Sequence, residues 1–252
     1  MLRTGNPALK ESTFLDIGSG TVVTRDGQAM TLNGTVHKTG LLLLLAVLTG
    51  AFAWNSAAPT AEGVSPSALI FLIGGLVGGL VFSLATIFKN NWAPVTAPLY
   101  ALFEGLFLGA ISAFMEFQYP GIVLQAVMLT MGTLFALLMA YRSGLIRATE
   151  NFKLGVVAAT GGIALIYLAT IVLRLFGTDI PYIHESGVIG IGFSLFVVVV
   201  AALNLVLDFD FIEKGVDASA PKYMEWYAAF GLMLTLVWLY IEFLRLLAKL
   251  RD

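Results

Sequence analysis

The sequence predicts an all-α polytopic membrane protein, a bundle of seven transmembrane helices. Three observations lead there. Apolar residues make up 58% of the 252-residue chain. Charged residues make up only 12%, about half the share of a soluble domain. The apolar residues gather into seven blocks, beginning near Thr39, Ser67, Ala93, Ile122, Leu154, Gly187 and Trp226, and most hold the roughly 20 residues needed to cross hydrocarbon.

Ahead of the first block, residues 1–38 form a polar N-terminal tail, which leaves 39–252 as the transmembrane domain. The tail carries Arg3, Lys10, Arg25 and Lys38 and lacks the short apolar core of a secretory signal, so it is expected to be retained. Its run Thr21 to Thr31, TVVTRDGQAMT, alternates around Asp26-Gly27, a pattern open to either a small hairpin or a loose tail.

The second and third blocks are marked by glycine. Gly74 and Gly78, Gly75 and Gly79, and Gly105 and Gly109 are small-xxx-small pairs, which predict close packing inside one bundle. Lys89 follows the second block. Glu104, in the run FEGLFLGAIS, is the most deeply placed carboxyl group of the chain. A charge at mid-bilayer costs about 3 kcal/mol on insertion scales, so such a group faces the bundle interior. Glu104 either lines an ion pathway or is a protonated acid hydrogen-bonded to a neighbouring helix.

The fifth block has a polar line through Thr160, Tyr167, Thr170 and Arg174, the last near the outer end and expected to snorkel. The sixth is the most informative. Gly190, Ser194, Val197, Ala201, Asn204 and Asp208 recur at steps of four and three, one stripe down a helix of Val, Leu, Phe and Ala. Packing explains the small residues but not an amide and a carboxylate one turn apart, which neighbours have to satisfy. Asp210 lies about 200° round the helix from Asp208 and points elsewhere.

The seventh block is interrupted by Glu242 soon after Ile241. It either crosses, with Glu242 and Arg245 reaching toward headgroups, or is re-entrant. The crossing is adopted, with Trp226, Tyr227, Trp238 and Tyr240 as interfacial anchors. Glu225, at its start, is a short loop from Asp208. Two carboxylates there could share a proton or a cation as a coupled pair, or Glu225 could simply be solvated beside Lys222.

Loop charges set the orientation. The tail, Lys89, the trio Arg142, Arg147 and Lys153, and the pair Lys214 and Lys222 fall on one side, while the alternate loops are nearly bare of Lys and Arg. The N-terminus is therefore expected in the cytoplasm. With a net charge of −2 and no Lys/Arg cluster, nothing points to nucleic acid, and the expected partner surface is the lipid bilayer. There is no cysteine, and no HExxH, GxSxG or Walker pattern. His37 and His184 sit in a tail and a loop, so no enzyme and no resident cofactor are expected.

Three runs carry a family resemblance: NPALKESTF (Asn6 to Phe14), FEGLFLGAIS (Phe103 to Ser112), and LDFDFIEKG (Leu207 to Gly215) leading into WLYIEFLRLL. In this order and spacing the chain resembles the Bax inhibitor family, in its bacterial YccA-like branch. The resemblance implies a seven-helix bundle with a central helix surrounded by the others, in a bacterial inner membrane. It also implies a pH-sensitive calcium leak closed by two mutually bonded aspartates. Asp208 matches the first of these. The second has no match, since Gly231 to Thr235 holds no acid; Glu225 is the substitute, and Lys89 stands nearest to the family's basic latch. The expected ion pathway is thus Asp208, Asn204, Glu225, Asp210 and Glu104, with Ca²⁺ held weakly by Asp208 and Glu225. The alternative implied by the same branch is a non-transporting regulator that binds a membrane-bound AAA+ protease through the tail. The oligomeric state is left open.

Overall fold

The computed structural model describes residues 29–57, 65–177 and 186–252, so the expected hairpin around Asp26-Gly27 and the loop histidine His184 lie outside the described residues. Among the described residues seven helices follow one another: α1 (Leu32–Ala57), α2 (Pro66–Phe88), α3 (Ala93–Gln118), α4 (Ile122–Arg142), α5 (Glu150–Leu175), α6 (Val188–Asp217) and α7 (Met224–Arg251), with one 3-10 turn at Asn90–Trp92. All seven are long and apolar enough to cross a membrane. This is the multi-pass, all-α bundle expected. α7 runs unbroken for 28 residues and is long and apolar enough to cross, without the turn that a re-entrant hairpin would need.

Local chemistry sets the ends. Ser65 caps α2, accepting from Ser67 N–H ahead of Pro66, and Thr149 caps α5 by accepting from Phe152 N–H at 3.3 Å. Glu116 caps α4, its carboxylate accepting from Gly121 N–H at 2.6 Å and Val123 N–H at 3.1 Å. Gly121, at φ 82°, supplies the left-handed backbone that this turn needs. α6 ends through Ser219 at φ 51°, with Ala220 N–H bonded to Gly215 C=O at 3.0 Å, a Schellman-type stop.

α1 begins at Leu32, seven residues before the expected Thr39. Asn33, His37 and Lys38 lie on its first two turns, so the polar tail ends earlier than residue 38. The reason is an N-cap that hydropathy does not register: Thr31 Oγ1 accepts from Gly34 N–H at 3.0 Å.

By internal packing the described residues divide into two units. One, the α1–α3 unit, holds 29–57, 65–123 and 211–234; the other, the α4–α5 unit, holds 124–177, 186–210 and 235–252. Within the α1–α3 unit, α3 packs on both α1 and α2. The glycines explain how closely. Side chains at Gly75 and Gly78 would collide with Phe103 and Phe107 of α3, and side chains at Gly105 and Gly109 with Ala46, Thr49 and Gly50 of α1. Gly74 faces open space, so of the expected pairs it alone packs on nothing. α7 is the most enclosed span, with 67% of its apolar window buried against 44% or less elsewhere. Tyr227 and Tyr240 are accordingly inside the protein and are not interfacial anchors.

Candidate functional site

The α6 stripe is buried from end to end. Gly190, Ser194, Val197, Ala201, Asn204 and Asp208 all lie inside the protein, Asp208 at 0% exposure and Asn204 at 2%. The spacing read from sequence therefore describes a real face. Asn204 Nδ2 donates to Thr160 Oγ1 of α5 at 2.8 Å and to Val200 C=O at 2.9 Å. Three buried atoms on this stripe have no hydrogen-bond partner: Ser194 Oγ, Asn204 Oδ1 and Asp208 Oδ2, although Asp208 is engaged through other contacts. Buried polar atoms are nearly always paired, so the unpartnered Ser194 Oγ and Asn204 Oδ1 on one face mark a polar track.

α5 supplies the other wall of this unit. Lys153, Thr160 and Tyr167 recur every seven residues and meet, in order, Asp210, Asn204 and Glu242. Lys153 Nζ lies 2.7 Å from Asp210 Oδ2 and 3.5 Å from Glu150 Oε1, with its side chain 3% exposed. Lys153 was expected among the loop charges. It is instead a buried partner that draws Asp210 off the stripe toward α5, as the helical angle required. Tyr167 is the sequence-predicted line member that meets charge: its hydroxyl donates to Glu242 Oε1 at 2.9 Å and accepts from Arg245 at 2.6 Å. Arg245 also binds both Glu242 oxygens, and Trp238 Nε1 donates to Oε1 at 3.3 Å. Glu242 is thus buried and does not reach toward headgroups. Sequence reasoning missed this cluster because Glu242 and Arg245 were expected to reach toward headgroups, and nothing local pointed to Tyr167 on another helix. Lys249, one turn beyond Arg245, is also buried and donates to Gly190 C=O at 3.0 Å.

The α1–α3 unit has its own buried acid. Glu225 is 0% exposed and accepts from Thr31 N–H and Thr31 Oγ1, each at 2.8 Å. Lys222 reaches Oε1 at 2.8 Å, and Lys38 bonds to Oε2 while lying 5.5 Å from the Trp226 ring centroid. The carboxylate also sits at the N-terminus of α1, where the helix dipole favours an anion. A side chain at Gly34 would overlap it, so Gly34 is what admits it. Beside it, Met30 N–H bonds to Ala220 C=O and Ala29 pairs with Pro221. Glu225 is therefore not solvated, and both its oxygens are taken by lysines and Thr31. These contacts replace the expected shared proton or shared cation. Its expected role as a metal ligand has no support in this geometry.

Glu104 lies half-buried on α3, its Oε2 2.8 Å from where a Cβ on Gly79 of α2 would stand. No hydrogen bond from Glu104 to a neighbouring helix is found among the described residues. Lys89 is exposed at the end of α2 with its ammonium 4.4 Å from the Trp92 ring centroid, so its observed contact is aromatic and not acidic. Among the described residues no three His, Cys, Asp or Glu side chains come close enough together to hold a metal ion.

A sequence profile described as Bax inhibitor 1 like matches residues 6–252. The chain belongs to this family. Neither a curated protein nor a solved structure gives a significant match.

Proposed function

We propose that this protein is a pH-sensitive cation leak whose route follows the α6 stripe, with Asp208 as the titrating gate and Ca²⁺ as cargo. The observation that carries this reading is the row of buried acceptor atoms without partners, Ser194 Oγ and Asn204 Oδ1, ending one turn away in a fully buried carboxylate. Such oxygens suit a cation that has shed part of its water. A storage site for Ca²⁺ needs six to eight oxygens, whereas this stripe offers one carboxylate and one amide oxygen near each other. That supports passage over retention. Protonation of Asp208 would remove the only formal charge on the stripe, which gives flux a dependence on pH. Glu225, saturated by its own donors, is assigned to anchoring and not to the route. We place the chain in a bacterial cytoplasmic membrane with Arg142 and Arg147 on the cytoplasmic side.

The test is Ca²⁺ uptake by vesicles containing the full chain. Asp208→Asn should flatten the dependence of flux on pH, and identical pH profiles for the two proteins would refute the assignment.

A second reading is supported by the anchoring of Ala29 to Thr31 against Ala220, Pro221 and Glu225, which gives the preceding tail a fixed point of departure. In this reading the tail carries a binding site for a membrane-bound AAA+ protease, as in a YccA-like regulator. Deleting residues 1–28 should then abolish recovery of the protease from membranes, and unchanged recovery would exclude the idea.

A further inference from the structure

The polar stripe of α6 is interrupted, and the interruption is built with care. Ser194 and Asn204 are ten residues apart, about 15 Å along the helix axis. Each is almost fully buried, at 1% and 2% exposure, and each keeps one atom with no hydrogen bond. Between them the stripe presents Val197 and Ala201, both completely buried. Val197 belongs to a packed apolar cluster with Val200 of the same helix and Ile163 of α5, against which Ala159, Tyr167, Phe193 and Trp238 also pack. The polar tips of Tyr167 and Trp238 are both directed to Glu242, so what they add to this cluster is apolar ring. All of these residues lie within the α4–α5 unit.

We propose that Ile163, Val197 and Val200 form a dry septum that separates two polar half-paths, one at Ser194 and the other at Asn204 and Asp208. The inference rests on the reading of the stripe as an ion route and names the barrier on that route. A cation at Asn204 has an amide and a carboxylate to replace lost water, while at Val197 it has neither. Apolar constrictions of this kind exclude water and with it ions. The septum, and not the charge state of Asp208 alone, then sets the basal rate. Asp208 lies about two turns beyond Val200, so titration there changes how readily a cation reaches the barrier.

The experiment uses the full chain in vesicles with a trapped Ca²⁺ indicator. Val197→Thr keeps the side-chain shape and places a hydroxyl in the septum, and it should raise the Ca²⁺ rate about tenfold while keeping the pH response. An unchanged rate, beside an Asp208→Asn protein whose pH profile has altered, would overturn the septum and leave the route standing. No change in either protein would remove the route and the septum together. The chain holds no cysteine, which permits a second measurement that does not depend on flux. In single-cysteine proteins, an impermeant thiol reagent should modify Ser194→Cys from one face of the membrane and Asn204→Cys from the other, and Val197→Cys from neither. Modification at position 197, or failure to modify both 194 and 204, would refute the proposal.

Discussion

Two acids on the last two helices, Asp208 and Glu225, are equally hidden from solvent and differently treated by their surroundings. Glu225 in the α1–α3 unit is met by a backbone N–H, a hydroxyl and two ammonium groups, and it rests on a helix N-terminus. Asp208 in the α4–α5 unit belongs to a stripe on which Ser194 Oγ and Asn204 Oδ1 have no partner. Burial alone therefore does not mark a functional acid. A saturated carboxylate stabilises its neighbours, whereas a polar line with unmet acceptors carries an unrelieved cost, and it is there that we propose a passing cation finds its oxygens.

The largest effect that sharpens this contrast is expected at Glu225. Glu225→Ala leaves Lys38 and Lys222 without their counter-ion and the α1 N-terminus without its anion. Removal of one partner from a buried ion pair costs about 3–5 kcal/mol. Thermal unfolding in detergent should show a loss of about that size, and trypsin should gain access to Lys38. A loss below about 1 kcal/mol would mean that the clamp is ornamental and that the contrast with Asp208 fails. Gly34→Ala attacks the same clamp from α1, because the added methyl would overlap the carboxylate. Overpacking of this kind costs about 1–3 kcal/mol. In the Glu225→Ala background the same methyl should be nearly neutral, and a double-mutant cycle measures that coupling. Additive effects would show that Gly34 matters for a reason unrelated to Glu225.

Lys222→Met should cost less than either. Its side chain is 47% exposed, and exposed ion pairs contribute up to about 1 kcal/mol. Unfolding measured in low and high salt checks this, since screening should narrow the gap between Lys222→Met and the parent. A cost equal to that of Glu225→Ala would place Lys222, and not Thr31 and Lys38, at the centre of the clamp.

The two acids also differ in how far sequence could reach. The α6 stripe was legible because its partners in periodicity lie on one helix, within the 19 residues from Gly190 to Asp208, and burial follows from a face of small residues in an apolar helix. The crossings were legible for the same reason, since hydropathy is summed locally. The clamp was not. Thr31 and Lys38 are 194 and 187 residues from Glu225, and nothing local distinguishes a lysine that will be tethered from one that will be solvated. The polar residues Asn33, His37 and Lys38 hid the first turns of α1, and nothing in the local sequence shows that Gly34 makes room for a distant carboxylate. Lys153 and Glu242 were misplaced by proximity, one beside loop arginines and the other beside Arg245. Their true partners, Asp210 and Tyr167, are on other helices. Tyr167 at least was visible as a member of the α5 polar line, and the strict spacing of 153, 160 and 167 was the signal that could have found the set.

The smallest effect on stability is expected at Asp208, and it is the one that decides the comparison. Asp208→Asn keeps the shape of the side chain and an acceptor oxygen for whatever donors it meets. It also adds N–H donors one turn from the unpartnered Oδ1 of Asn204. The isosteric amide keeps those contacts through its oxygen and no longer places a formal charge in a buried site. The unfolding temperature should therefore stay close to that of the parent, within about 1 kcal/mol of stability, while the pH response of Ca²⁺ flux is lost. Loss of stability on the scale of Glu225→Ala would make Asp208 a second structural clamp. In that case the orphaned atoms on its stripe would need another explanation.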